Sequence, residues 1–151
     1  MTLRQVGIAK ITYFRGIVSP LYHFMPVPKK ILTRKDEITA DFLAIMEKHI
    51  HDLMEGRDRS RFGASTFAAR LFIHPRHLTN TIKLTTGKSP CEFMEERILL
   101  EAQQLLEGTP LPVAEIALTF GYEEPANFTK FFKGMAGITP LQYRKKNRAM
   151  I

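Results

Sequence analysis

The sequence repeats itself at a spacing of fifty residues, and that repeat constrains the fold more than any other feature. Pro75 recurs as Pro125, Leu78 as Phe128, Thr79 as Thr129, Ile82 as Phe132 and Lys83 as Lys133. Gly87 recurs as Gly137, Ser89 as Thr139, Pro90 as Pro140 and Phe93 as Tyr143. Upstream of the turn the spacing falls to forty-nine, pairing Phe67-Ala68 with Ile116-Ala117. Helix-starting prolines, apolar positions, stop glycines and caps recur together, so the chain encodes one supersecondary unit twice.

Each unit reads as two short helices joined by a tight turn. In the first, Ser65 is placed to cap a helix carrying Phe67, Ala68 and Leu71. Pro75 opens the next helix, with Leu78, Ile82 and Thr85 on one side and Gly87 as its stop. In the second unit Val113, Ile116, Ala117 and Phe120 mark a helix ended by Gly121. Pro125 then opens another, with Phe128, Phe131 and Phe132 inward and Gly137 at its end. Between the units, "SPCE" is a capping box of Ser89, Pro90 and Glu92. It opens a long helix lined by Phe93, Met94, Ile98, Ala102, Leu105 and Leu106 and ended by Gly108. "TPLQ" repeats the box with Thr139, Pro140 and Gln142 and opens a last short helix. Ahead of both units, Asp36 and Glu37 open a helix whose apolar stripe is Ile38, Phe42, Ile45, Met46, Ile50 and Leu53.

The expected architecture is therefore all-α: a seven-helix domain of two helix-turn-helix subdomains joined by a long linker helix, preceded by a basic N-terminal arm. The arm or remnant linker covers residues 1–35, which hold Pro20, Pro26 and Pro28 and no helical stripe. The domain covers 36–147, with motif one at about 65–87, the linker helix at about 90–106 and motif two at about 112–137. Residues 148–151 form a tail.

Charge narrows the function. Residues 1–35 contain seven Lys/Arg and no acid, whereas residues 36–151 contain fifteen of each sign. Inside the domain the signs are sorted. From Arg59 to Cys91 the charged residues are all basic, from Glu92 to Glu124 eight are acidic and only Arg97 is basic, and from Pro125 onward all are basic again. The sorting fits two anion-binding patches, and it equally fits three solvated helix faces of uneven charge. Cys91 is the only cysteine, so no intrachain disulfide forms and a cytoplasmic location is expected. It reads as a small buried or half-buried residue. No run approaches the roughly 18 apolar residues of a membrane span. The apolar stretch near the N-terminus is broken by Arg15, Gly16 and Pro20, unlike a signal peptide.

Nothing in the sequence suggests catalysis. Glu95 and Glu96 are adjacent on a helix and cannot face one another. No Ser/His/Asp order or phosphate loop appears. His49 and His51 point in different directions on their helix. His74 and His77 lack a third ligand, so all four read as polar residues and no metal or other cofactor is expected.

A tight two-helix unit whose second helix starts at proline has helix-turn-helix geometry, and such a second helix can lie in a DNA major groove. The outward residues of the first such helix are Arg76, His77, Thr79, Asn80 and Lys83, and those of the second are Ala126, Asn127, Thr129, Lys130 and Lys133. Arg can read guanine, Asn adenine and the Thr methyl thymine, while Lys suits phosphate. A linker helix about 25 Å long could hold the two about one DNA turn apart.

The residues Ala68, Leu71, Pro75, Leu78, Gly87 and Ser89, followed by "AEIALTFGYEEPANFTKFFKGMAGITPLQYR", resemble the two-motif DNA-binding domain of the AraC/XylS family of bacterial transcription regulators. The resemblance covers about residues 36–147 and is most specific in the second half, at Ile116-Ala117, Gly121-Tyr122, Phe128, Phe132-Lys133, Gly137, Thr139-Pro140 and Tyr143-Arg144. It implies seven helices and sequence-specific binding to promoters. Carried over by position, Arg76, Thr79 and Asn80 would face bases in one groove, and Ala126, Asn127 and Lys130 in the next. Ser65, His77, Lys83, Thr129 and Lys133 would contact the DNA backbone, as would the helix start near Pro112. The implied partner is double-stranded DNA, with RNA polymerase as a further candidate. The implied role is transcription regulation as an activator, with a monomer compatible.

Three positions depart from the family pattern. His74 stands where a serine cap is usual, Glu123 and Glu124 stand where small caps are common, and Ala126 offers little to a base. Most members also carry an N-terminal sensing domain, which 35 residues cannot form. The chain is thus expected to be either a short stand-alone regulator or a truncated one, with Met25 a conceivable internal start. The competing reading is a helical interaction module that kept the fold without specific DNA binding. A DNA-processing enzyme borrowing the domain lacks a catalytic segment.

Overall fold

The computed structural model describes residues 33–148, and the expectations for residues 1–32 and for the last three residues lie outside them. Seven α-helices follow in order: α1 Arg34–Met54, α2 Ala64–Arg70, α3 Pro75–Thr86, α4 Pro90–Gly108, α5 Val113–Thr119, α6 Pro125–Ala136 and α7 Pro140–Arg148. No strand occurs among the described residues. No helix among them is long and apolar enough to cross a membrane. Helix α2 packs on α3 and α5 packs on α6, while α4 touches α3 at one side and α5, α6 and α7 at the other. The all-α plan of seven helices expected for the main domain is the one observed among the described residues.

Local chemistry sets most of the boundaries. Ser89 and Glu92 form a full capping box, with Glu92 N–H donating to Ser89 Oγ at 3.3 Å and Ser89 N–H to Glu92 Oε2 at 2.6 Å. Thr139 and Gln142 repeat it at 2.9 and 3.2 Å. Helices α3 and α6 both stop at a glycine in the left-handed region, Gly87 at φ 80° and Gly137 at φ 81°, each donating its N–H to the carbonyl four residues back. Ser65, by contrast, is not a cap. Gly63 holds that place without any side-chain hydrogen bond, and Ser65 lies exposed inside the first turn of α2.

The core has an aromatic centre under each motif, spanned by α4. Phe42 of α1 meets Phe67 of α2 edge-on at 5.1 Å and Phe93 of α4 at 6.1 Å. On the other side Phe128 lies 6.0 Å from Phe132, and Phe132 meets Tyr143 edge-on at 5.5 Å. All of these except Tyr143 are buried, each burial favouring the fold by about 1.5–3 kcal/mol. Helix α4 buries Phe93, Met94, Ile98, Ala102 and Leu106 along its length. Ile45, Leu105 and Phe131, expected in the core, are only half-buried.

Two arginines are interior, and Cys91 departs from its expected place. Arg97, the lone base of the acidic block, is buried; its guanidinium holds Glu47 at 2.5 and 3.1 Å and Glu101 at 2.8 Å. Burial opposes its charge, but the two carboxylates outweigh it and hold its pKa above the ordinary arginine value. Arg144 is also buried, and donates to the carbonyls of Leu106 and Leu111, tying α7 to the end of α4 and the segment after it. Cys91 is exposed rather than half-buried, because Pro90 takes the inward place at the start of α4.

Candidate nucleic-acid interface

Helices α3 and α6 present the two polar faces expected from the repeat. Pro75 and Pro125 stand in their first turns, where a missing N–H removes no helical bond. Helix α3 turns Leu78, Thr81 and Ile82 inward, and α6 turns Phe128 and Phe132 inward. Outward and exposed are Arg76, His77, Asn80 and Lys83 on α3, and Ala126, Asn127, Lys130 and Lys133 on α6. Thr79 and Thr129 are half-buried at the edge of each face. From Leu78 to Pro90 and from Phe128 to Pro140, every position has the same degree of exposure as its partner fifty residues away, except Thr81 and Phe131.

The turns that aim these helices are equally matched. Ile73 N–H donates to Ala68 O at 3.0 Å, and Tyr122 N–H donates to Ala117 O at 3.0 Å. Both turns pass through the left-handed region one residue earlier, at Phe72 (φ 56°) and Gly121 (φ 75°). Glu123 is the one extra residue of the second turn, which is why the spacing changes from forty-nine to fifty.

The helix starts differ. His74 caps α3 through Nδ1, which accepts the Arg76 N–H at 3.1 Å, so the histidine does the work of the usual serine. Glu124 caps α6 with no side-chain bond, and leaves its exposed carboxylate beside the helix start with Glu123. The first basic block is not wholly solvated: Lys88 is held by Glu96 at 2.7 Å, and Arg61 donates to Tyr122 Oη at 2.9 Å; in the second block Arg144 is buried.

Comparison with known proteins agrees with this geometry. A family model described as a helix-turn-helix domain matches residues 67–146. The HTH-type transcriptional activator RhaR of Enterobacter sp. (strain 638) is 30% identical over 105 residues, covering 70% of this chain and 37% of RhaR. The C-terminal domain of AraT, a response regulator from Geobacillus stearothermophilus, matches with TM-score 0.66 and 28% identity, over 76% of this chain and 88% of that domain. The chain belongs to the AraC family. It corresponds to the family's C-terminal DNA-binding domain. The DNA-binding domain of AdpA, a global transcriptional factor solved in complex with a target DNA, matches with TM-score 0.64 and 28% identity, over 74% of this chain and 94% of that domain. An uncharacterized HTH-type regulator of Bacillus subtilis, YisR, is 25% identical over 83% of this chain. The chain spans 41% of YisR, less than half of that relative's length.

Within this AraC-type domain, every residue expected to contact DNA lies on motif one or motif two, exposed or half-buried. Sequence reasoning missed the loop between α1 and α2. It carries Asp58, Arg59, Arg61 and Phe62 and runs from the surface of α1 to the turn of motif two. The signal available was Gly121, whose conformation and lack of a side chain both mark a close approach.

Proposed function

We propose that the protein is a sequence-specific double-stranded DNA-binding transcription regulator that inserts α3 and α6 into successive major grooves. The observation that carries this reading is the shared exposure pattern of the two helices, which leaves equivalent polar faces open at the same register. The relatedness to the AdpA domain, itself solved on a target DNA, supports it. Arg76, Thr79 and Asn80 read bases in the first groove, and Asn127 and Lys130 in the second. Ser65, His77, Lys83, Thr129 and Lys133 hold the backbone. Ala126 and the uncapped, acidic start of α6 leave most of the specificity to α3. The cytoplasm and RNA polymerase are the location and protein partner that accord with this role.

Selection of bound sites from a random duplex pool tests the proposal. A preferred site long enough to span two major-groove segments is the expected result. Affinity for it falls with salt by roughly 0.9 log unit per log unit of salt for each phosphate contact. Enrichment of no sequence, with a flat salt response, would reject the reading.

A further inference from the structure

We infer that the loop joining α1 to α2 is a brace that sets the position of the second recognition helix relative to the first motif, with Arg61 as its positioning residue. The loop is anchored at one end. Its Phe62 N–H donates to Nε2 of buried His49 at 3.1 Å, and the Phe62 ring stacks on the imidazole. Asp58 Oδ2 approaches His49 Nδ1 at 3.4 Å, while Arg57 and Asp58 donate their N–H groups to Asp52 O at 2.8 and 3.1 Å. The guanidinium of Arg70, at the end of α2, lies 4.4 Å over the Phe62 ring.

The other end reaches motif two. The Arg61 guanidinium carbon lies 4.0 Å over the Tyr122 ring, and Nη1 donates to the Tyr122 hydroxyl at 2.9 Å. Backbone joins in: a side-chain carbon at Gly121 would come within 3.1 Å of both Arg59 O and Arg61 N. Tyr122 in turn meets Phe128 of α6 edge-on at 5.4 Å and stacks on Phe131 at 5.6 Å. A chain of contacts thus runs from α1 through the loop to the core face of α6, beside the covalent path through α4. With α4 alone, α6 and its partners could pivot about that helix. With the loop seated on Gly121 and Tyr122, the pivot is closed on a second side.

The consequence for DNA rests on the function proposed above: a braced pair of reading helices tolerates one spacing between its two half-sites. The first test needs no DNA. Spin labels on Leu84→Cys and Gly134→Cys, equivalent exposed positions on α3 and α6, report the distance between the helices in a Cys91→Ser background. A narrow distribution is expected for the parent, and a broader or displaced one for Arg61→Ala at an unchanged unfolding midpoint. Tyr122→Phe, which keeps the ring and removes the hydroxyl, falls between them. Distributions that superimpose would overturn the brace.

The second test uses a selected duplex and the same duplex with one base pair inserted between its half-sites. The parent loses about tenfold or more in affinity on insertion, and Arg61→Ala less than about threefold. An Arg61→Ala variant that keeps the full insertion penalty, but binds every sequence more weakly with a shallower salt dependence, would make Arg61 a phosphate contact and overturn the positioning role. If the parent binds no duplex specifically, the DNA reading fails while the distance measurement still decides the brace.

Discussion

The imidazole of His49 lies flat against the ring of Phe62, their centroids 3.5 Å apart and their planes 9° from parallel. The same imidazole accepts the Phe62 N–H through Nε2. That bond needs an unprotonated Nε2. Burial holds the His49 pKa below its ordinary value; Asp58 opposes the shift, Arg70 adds to it, Asp52 opposes it and Lys48 adds to it. A lowered folded-state pKa means that the folded protein binds fewer protons than the unfolded chain. The stabilisation is therefore fully present above about pH 6.5 and is lost as the pH falls through the lower, folded value. Denaturant unfolding at pH 7.5 and 5.5 should show the parent losing stability between the two, and His49→Gln losing less. Equal losses would remove His49 as the cause.

Phe72 stands in the left-handed region at φ 56° and is 95% exposed. Its side chain contributes little packing, while its backbone conformation disfavours any residue with a Cβ. Phe72→Gly should raise stability by up to about 1 kcal/mol, the relief of strain being partly offset by greater freedom in the unfolded chain. Gly121→Ala should act the opposite way, because φ is 75° there and the added carbon meets the backbone of Arg59 and Arg61. Thermal unfolding of both variants checks the pair.

Arg97 and Arg76 carry the same charge to different ends. Arg97→Ala leaves Glu47 and Glu101 without their buried partner and should destabilise the fold by about 3–5 kcal/mol. Arg76→Ala, on an exposed face, should leave stability within about 0.5 kcal/mol of the parent. On the preferred duplex it should weaken binding by about 1–3 kcal/mol and relax the sequence preference. Unfolding curves and duplex titrations on both variants separate the roles; equal weakening on all sequences would move Arg76 to the DNA backbone.

Phe132 is fully buried between Phe128 and Tyr143. Phe132→Ala should destabilise the domain by about 3–5 kcal/mol. Its neighbour Lys133 is exposed, and Lys133→Ala should weaken binding to preferred and random duplexes alike, with no change in unfolding. Loss of binding without loss of stability in Phe132→Ala would contradict its place in the core.

The helices, their order and their caps were legible because they are local. Pro75, Gly87 and the Ser89–Glu92 box act within a few residues of themselves, and the repeat showed the same punctuation twice. The polar faces of α3 and α6 followed from the 3.6-residue period once the apolar positions were known. Sequence reasoning fell short both locally, at Ser65 and Cys91, and where one element meets a distant one, at Arg97 and Arg144. Ser65 yielded its cap position to Gly63, and Cys91 turned outward because Pro90 packs inward. Nothing local marks Arg97 and Arg144 as interior, since only the fold brings Glu47 to Arg97 and the Leu106 and Leu111 carbonyls to Arg144.

The family and the seven-helix plan were thus determined by the sequence itself, through periodicity and punctuation that any short window displays. Only the tertiary structure decided which charges are interior, that a histidine holds the α1–α2 loop, and that this loop rests on the turn of the second motif. The physical reason is range: a cap or a stop glycine acts over one helical turn, whereas the contact between Arg61 and Tyr122 joins residues 61 positions apart and exists only once the chain has folded back on itself.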